Sequence, residues 1–541
     1  MIARKHLIGL PLAALVLSGW TTAPAEATRE AIAAICGAEL KPAEATGPSR
    51  LAIEPGMGDG GFTIGTHSAN AQAWFNYGIK LFHAFYHNDN RVAFDKSVAA
   101  DPDCALCLWG QALSRGPTQN FDISVDQTRA ALEIARKARA AARTPLEIAL
   151  TDAMVERFTA PEPTAAAPED AFAAAVLKAA QSEPDNTDLP LIAGEALLTA
   201  WRRGDKDGAQ RAMAIIEPIL RLHPDNTAAI HYYIHATEFA GVPEKALPYA
   251  RKLARLAPGA SHLVHMAAHT YFDVGLYEDA ATVNADALKV DSDHLAATNK
   301  PGLPGAAYYY GHDLKFGMAG AVMAGDGPLA VRFADDLHRA YPEASFAGNG
   351  LGSTEGMRFV ILGRYAPDRM LAIADPGDGH ADARVYYHYG RGEAFAARRD
   401  IAGLTRESAA ITGAGLIARL AGGVLKGRLA MLEGRWDDAV AAFGAAAAAQ
   451  EPMLLTQKDP PSWWYPIHRS VAAAQLKAGR YQMAADEARK SLAAWPADPL
   501  ALLVLSKAEE GLKQNGPARR DLREAQRDWQ GDLNAMAVEG I

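Results

Sequence analysis

The stretch AWFNYGIKLFHAFYHNDNRVAFDKSVAADP (residues 73–102) predicts two helices packed against each other. Its aromatic, small and proline residues have the spacing of a helix–turn–helix repeat of about 34 residues. The positions that match this spacing are Trp74, Tyr77, Gly78, Leu81, Phe94 and Pro102. One position departs from it, since Asn90 stands where the repeat has a small residue. A single helix pair cannot bury its apolar face alone, so the stretch predicts further pairs stacked beside it.

Three later segments, FDVGLYEDA, MLEGRWDDA and LKAGRYQMA, share one pattern of glycine, aromatic residue and alanine. Their glycines are Gly275, Gly434 and Gly479. A glycine at this position ends the first helix of a pair, because it adopts the left-handed conformation without steric cost. The aromatic residue packs in the turn, and the alanine lets the two helices approach closely. Each segment therefore predicts the joint of a helix pair.

The repeats imply an all-α chain, because apart from the apolar N-terminus no long alternating strand pattern is present. Unequal intervals between the joints indicate insertions, one of them TNKPGLPG at 298–305. We predict five parts after a signal peptide. They are an N-terminal segment (28–66), N-terminal repeats (67–226), histidine-bearing repeats (227–345), C-terminal repeats (346–530) and a tail (531–541).

These joints and the stretch at 73–102 resemble tetratricopeptide repeats, and the resemblance covers most of residues 70–530. It implies a solenoid of helix pairs wound into a right-handed superhelix, whose concave groove is lined by the first helix of each pair. The segments HYYIHA, HLVHMAAH and WWYPIHRSVAAAQLKAGRY resemble, more narrowly, exported bacterial tetratricopeptide proteins with a His-x-x-His-Met-x-x-His segment. The chain departs from that group's pattern at Ala267-Ala268 and at Asp313.

The N-terminus predicts export from the cytoplasm. Two basic residues, Arg4 and Lys5, precede the apolar run LIGLPLAALVLSGW, and Ala25-Glu26-Ala27 is a small-x-small cleavage site. We therefore predict a signal peptide at 1–27 and a periplasmic or secreted mature protein, with a retained N-terminal anchor as the alternative. The net charge of −9 is spread along the chain without a basic stripe, which argues against a nucleic-acid partner.

The histidines are concentrated in the middle of the chain. Of the 16 histidines, five fall between residues 231 and 269, and His231 and His235 recur 34 residues later as His265 and His269. A helix advances about 100° per residue, so His262, His265 and His269 share an arc of about 60°. The resemblance implies that both histidine pairs point into one groove from adjacent helices.

This pattern predicts a transition-metal site. Histidines four residues apart on a helix can bind one ion together, and imidazole suits copper, zinc, nickel and iron. We predict His231, His235, His265 and His269 as ligands, with His262 and His312 as further ligands and copper or zinc as the metal. Glu238 and Asp273 are nearby carboxylates that either bind the metal or orient its ligands. A zinc protease is disfavoured, because HYYIH lacks the glutamate that would act as base.

Two other interpretations remain at the level of sequence. The histidines can instead form a polar groove that binds a peptide, a protein partner or an anionic small molecule, or they can simply pack. Whether the protein is an enzyme is left open. His83 and His87 form another spaced pair, which we expect to lie about four repeats away from the main cluster. Cys104 and Cys107 either form a disulfide or remain small buried residues, and Cys36 is unpaired or bridges to one of them.

Overall fold

The computed structural model describes residues 51–297, 309–341, 351–377, 381–454, 460–461, 463–533 and 536–541. The predicted signal peptide, Cys36 and the insertion at 298–305 lie outside these residues. All regular secondary structure in the described residues is helical, as predicted. None of the helices described combines the length and apolar character needed to cross a bilayer.

The N-terminal repeats consist of consecutive helices that pack against their neighbours in the chain. These helices are α1 (Ala69–His83), α2 (His87–Ala100), α3 (Ala105–Leu113), α4 (Val125–Ala141), α5 (Pro145–Thr159), α6 (Ala167–Ala180), α7 (Asp188–Arg202) and α8 (Gly208–Leu222). The helix α3 begins directly after Cys104, which forms a disulfide with Cys107 inside the first turn. Both cysteines are buried. The disulfide, one of the two states predicted for this pair, is the one present in the structure.

The middle repeats carry the histidines. Their helices are α9 (Thr227–Phe239), α10 (Leu247–Leu256), α11 (Ser261–His265), α12 (Ala267–Asp273), α13 (Tyr277–Ala297), α14 (Tyr310–Ala324) and α15 (Gly327–Ala340), with a short 3-10 helix at Pro243–Ala246. Only Met266 separates α11 from α12, and its backbone is also right-handed helical. The two segments therefore act as one helix with a local break.

The C-terminal repeats continue the same pairing. Their helices are α16 (Leu351–Tyr365), α17 (Pro367–Ala372), α18 (Ala381–Ala397), α19 (Ile401–Ala410), α20 (Leu416–Leu432), α21 (Trp436–Leu454), α22 (His468–Lys477), α23 (Tyr481–Ala494), α24 (Pro499–Gly511) and α25 (Asn515–Asp528), followed by a 3-10 helix at Val538–Gly540. The chain is therefore a tetratricopeptide-like solenoid of stacked helix pairs.

The predicted joints are confirmed. Gly275, Gly434 and Gly479 follow the ends of α12, α20 and α22 and have φ angles of 86°, 73° and 74°. This left-handed conformation turns the chain between the two helices of a pair. The alanine of each joint, for example Ala280, is completely buried where the second helix meets the first.

Both ends of the described chain return to the middle repeats. Near the N-terminus, the Gly259 amide donates to the Gly56 carbonyl at 2.9 Å. From the C-terminal side, Pro496 accepts a hydrogen bond at 2.9 Å from the hydroxyl of Tyr277. The Gln530 amide donates to the Ala324 carbonyl at 2.8 Å. Segments distant in sequence therefore contact the repeats that carry the histidines.

Close helix packing generates a test of the paired architecture. A Cβ atom added at Gly427 in α20 would lie 2.4 Å from the ring of Phe443 in α21, whereas one added at Gly444 in α21 would meet nothing within 4 Å. We expect Gly427→Ala to destabilise the fold by about 1–3 kcal/mol through overpacking. The matched control Gly444→Ala should stabilise it by about 0.5–1 kcal/mol through helix propensity. Thermal unfolding followed by circular dichroism measures both, and equal effects of the two changes would contradict the pairing.

Candidate metal centre

Three neighbouring helical segments bring the six predicted histidines together. The helix α9 presents His231 and His235 one turn apart, and the continuous α11–α12 segment presents His262, His265 and His269. His312 enters from the first turn of α14. Hydrogen bonding of the Asn226 side chain to the Ala229 amide at 2.8 Å fixes the start of α9. Residues three or four apart share a helix face, so these segments turn all six rings toward one place.

The six imidazoles form two groups of three. The first group is His231, His235 and His262, and the second is His265, His269 and His312. Within each group the candidate ligand atoms lie within 4.8 Å of one another. A third set with the same property links His235 to His269 through Glu238. We call the first two sets the first and second triplet.

Each triplet contains two ring nitrogens that face each other. In the first triplet, Nε2 of His262 lies 3.2 Å from Nε2 of His231. In the second triplet, Nε2 of His265 lies 3.0 Å from Nε2 of His269. Two nitrogens bound to one tetrahedral ion at 2.0–2.1 Å would be about 3.3 Å apart. The facing nitrogens are therefore close to the separation that a shared metal ion imposes.

Hydrogen bonds fix which ring nitrogen carries the proton in two of these histidines. Nδ1 of His231 lies 2.6 Å from the backbone carbonyl oxygen of His83. A carbonyl only accepts, so Nδ1 of His231 donates and its Nε2 holds the lone pair. Nδ1 of His265 lies 2.6 Å from Oδ1 of Asn284, whose amide nitrogen donates to the Ala280 carbonyl at 2.7 Å. The same reasoning leaves the lone pair of His265 on Nε2.

The carboxylate of Glu238 fixes which ring nitrogen of His269 carries the proton. Nδ1 of His269 donates to Oε2 of Glu238 at 3.1 Å. Burial alone would raise the pKa of Glu238, but the neighbouring His269 and His235 rings lower that pKa well below its ordinary value. Glu238 is therefore anionic and can only accept. In neutral His269 the lone pair consequently lies on Nε2, facing the lone pair of His265.

Two lone pairs 3.0 Å apart repel each other unless a cation lies between them. That cation is either a metal ion or a proton that makes one ring an imidazolium. His235 adds a further nitrogen that could bind a metal ion. Its Nε2 is buried without a hydrogen-bond partner among the described residues, and its Nδ1 lies 3.7 Å from Glu238. The arrangement has the chemistry of a metal site with oriented neutral ligands.

Burial favours the neutral form of five of the six imidazoles. The six histidines are between 0% and 8% exposed. Burial, followed by the neighbouring imidazoles, lowers the pKa of four of them well below the ordinary value; these are His231, His262, His265 and His312. Burial also lowers the pKa of His235. Neutral imidazole is the form that binds a metal ion.

The structure corrects two expectations from the sequence. The histidines do not line an open groove, because aromatic side chains cover them. The rings of Phe85 and Tyr309 stack on His262 with centroids 5.2 and 4.2 Å away. His83 and His87 are not remote either: the His83 carbonyl binds His231, and His87 contacts the Tyr309 hydroxyl at 3.1 Å. The chain curls so that the loop after α1 reaches α9, which repeat counting along a straight stack does not anticipate.

Several site residues were absent from the sequence prediction. Asn284 orients His265, and Phe85 covers the first triplet, yet neither residue carries a recognisable spacing signal. Asp313, whose Oδ1 lies 3.1 Å from Nδ1 of His265, stands out in the sequence only as a departure from a family pattern. Of the two predicted carboxylates, Glu238 joins the site, while Asp273 lines a separate cleft beside Trp495.

The metal-free protein should lose stability in mild acid. Below about pH 6.5 the unfolded chain protonates its histidines, whereas the folded chain keeps the buried ones neutral, so stability falls as the pH falls. Each such histidine contributes up to about 1.4 kcal/mol per pH unit. Urea unfolding between about pH 7.5 and about pH 5.5 with a chelator measures this slope. The variant His262→Gln with His265→Gln should show a shallower slope, and an unchanged slope would contradict the role of burial.

No family model matches the chain, and no curated protein matches its sequence. A structure of the human IFIT1 dimer with m7Gppp-AAAA is 14% identical, with a TM-score of 0.31, over 81% of this chain and 96% of that one. The Cut9–Hcn1 hetero-tetramer of the APC/C is 11% identical, with a TM-score of 0.25, over 88% of this chain and 77% of that one. The P58(IPK) TPR domain is 12% identical, with a TM-score of 0.22, over 85% of this chain and 98% of that one. TM-scores this low carry no argument about the fold, which is established by the helix pairs of the chain itself.

Proposed function

We propose that the protein binds a transition metal in the buried histidine cluster formed by α9, α11–α12 and α14. The observation that carries the proposal is the 3.0 Å approach of the Nε2 atoms of His265 and His269. Because Asn284 and Glu238 accept from their Nδ1 atoms, both rings in their neutral forms present lone pairs to the same point. A metal ion at that point converts a repulsive contact into two ligand bonds.

Copper and zinc fit this donor set best. Imidazole nitrogen is a common ligand for both ions, and copper binds nitrogen-rich sites most tightly among the divalent first-row metals. No cysteine lies in the candidate donor sets of the described residues, so a thiolate-based site is not supported. The Nδ1–H groups donate hydrogen bonds to a carbonyl oxygen, an amide oxygen and a carboxylate, which raises the basicity of the ligands and holds the rings in place.

The alternative function is a scaffold that binds a peptide or protein partner without metal. Stacked helix pairs of the tetratricopeptide type commonly serve protein interactions. Such a partner would not reach the histidines, because these side chains are buried. It would use another surface, such as the cleft of about 410 Å³ between Phe272, Tyr277 and Trp495. This alternative takes the place of the first proposal if no metal binds.

Metal addition to the chelator-treated protein tests the proposal. Copper or zinc at a hundredfold excess over its dissociation constant should stabilise the fold by about 2.7 kcal/mol. Replacing four histidines by alanine (His231, His235, His265 and His269) should abolish bound metal and this stabilisation. The control His468→Ala removes a histidine that pairs with Glu487 outside the centre and should leave both effects unchanged. Circular dichroism verifies that the variants stay helical, and absence of metal binding by the wild type refutes the proposal.

We also propose that the mature protein works outside the cytoplasm, in the periplasm or after secretion. The basic start, apolar run and small-residue site at 1–27 support export. The disulfide between Cys104 and Cys107 adds support, since disulfides persist in oxidising compartments. N-terminal sequencing of the mature protein should begin near Thr28. A fully cytoplasmic protein that retains Met1 would contradict export.

A further inference from the structure

We infer that the centre holds two metal ions, one in each histidine triplet, rather than a single ion. This inference rests on the proposed metal-binding function and concerns how that function is built. The two triplets share no residue and together use all six histidines of the cluster. Each contains its own facing pair of Nε2 atoms, at 3.2 Å in the first and 3.0 Å in the second.

One ion cannot use both facing pairs. Nitrogens bound to the same ion at 2.0–2.1 Å are no more than about 4.2 Å apart. Among the described residues, no set of three or more candidate ligand atoms within 4.8 Å of one another combines a member of the pair His231–His262 with a member of the pair His265–His269. The set that bridges the triplets joins His235 to His269 through Glu238. Ring centroids of His262 and His265 are 5.8 Å apart, and those of His235 and His269 are 5.4 Å apart. The facing pairs are thus two adjacent sites.

Each triplet also has its own aromatic support. The Phe85 ring contacts all three rings of the first triplet, with centroids 4.4 Å from His231, 6.0 Å from His235 and 5.2 Å from His262. The Phe316 ring does the same in the second triplet, at 5.1 Å from His265, 4.7 Å from His269 and 5.3 Å from His312. These contacts restrict ring rotation, so each set of three imidazoles is organised as a unit.

Negative charge lies beside the two sites. Glu238 is within 3.7 Å of His235 in the first triplet and 3.1 Å of His269 in the second. The carboxyl group of Asp313 lies 3.1 Å from Nδ1 of His265. The Glu238 carboxylate, which contacts both triplets, would offset part of the positive charge of a metal pair and so reduce the cost of placing two cations in the core. Three imidazoles per ion also leave a fourth position open, as in zinc and copper sites that exchange small ligands.

Metal stoichiometry tests the inference. The chelator-treated wild type, titrated with zinc and separately with copper, should bind two ions per chain by calorimetry and elemental analysis. The variant His231→Ala with His262→Ala should retain one ion, and so should His265→Ala with His269→Ala. His468→Ala should still bind two. If the wild type binds one ion per chain, the two-ion inference falls and the proposed function stands. If it binds none, both fall.

A second measurement does not depend on whether the variants fold. Two Cu²⁺ ions in adjacent triplets couple magnetically, so the electron paramagnetic resonance spectrum of the copper-loaded wild type should be broadened or lose intensity relative to its copper content. Protein loaded with half the copper capacity is the matched comparison. A full-intensity spectrum of isolated Cu²⁺ at saturating copper would overturn the inference.

Discussion

The structure depends on one constraint: a helix pair in this chain cannot bury its apolar face without a neighbouring pair. Close approach between pairs is possible only where side chains are small. A Cβ atom at Gly363 in α16 would lie 2.2 Å from the Gly390 carbonyl oxygen in α18, and one at Gly320 in α14 would lie 2.8 Å from the Tyr277 carbonyl oxygen in α13. The core therefore continues from pair to pair along the described chain, and the same stacking presses α9, α11–α12 and α14 together around the histidines.

Placing six imidazoles in such a core has a cost, because a buried polar atom without a partner loses its hydrogen bonds to water. Part of this cost is offset within the protein. The His83 carbonyl, Asn284 and Glu238 accept from three Nδ1 atoms. The Nε2 atoms of the same rings face other imidazoles instead. These bonds fix the orientation of the three rings, but in the neutral forms of His265 and His269 they leave two lone pairs directed at each other, and a metal ion would relieve that repulsion.

The centre also joins parts of the chain that are distant in sequence. The last residue of α1 contributes the His83 carbonyl, and the turn after it contributes the Phe85 ring, to a site built mainly from residues 231–312. Phe85 has a φ of 57°, a left-handed conformation that is uncommon for an aromatic residue and is maintained only where the surroundings favour it. Its contacts with the first triplet supply such surroundings. A metal bound there would consequently stabilise the packing of the N-terminal repeat against the middle repeats.

The sequence by itself determined the helical class, the joints at Gly275, Gly434 and Gly479, and the placement of histidine pairs on matching faces. These features follow from local periodicity and backbone conformation, which residues a few positions apart establish. The tertiary structure decided that the histidines are buried, that they divide into two triplets, and that Phe85 and Asn284 belong to the site. Those properties depend on how strongly the stack of pairs curls and which helices meet, and contacts over such sequence distances leave no periodic signal in the chain.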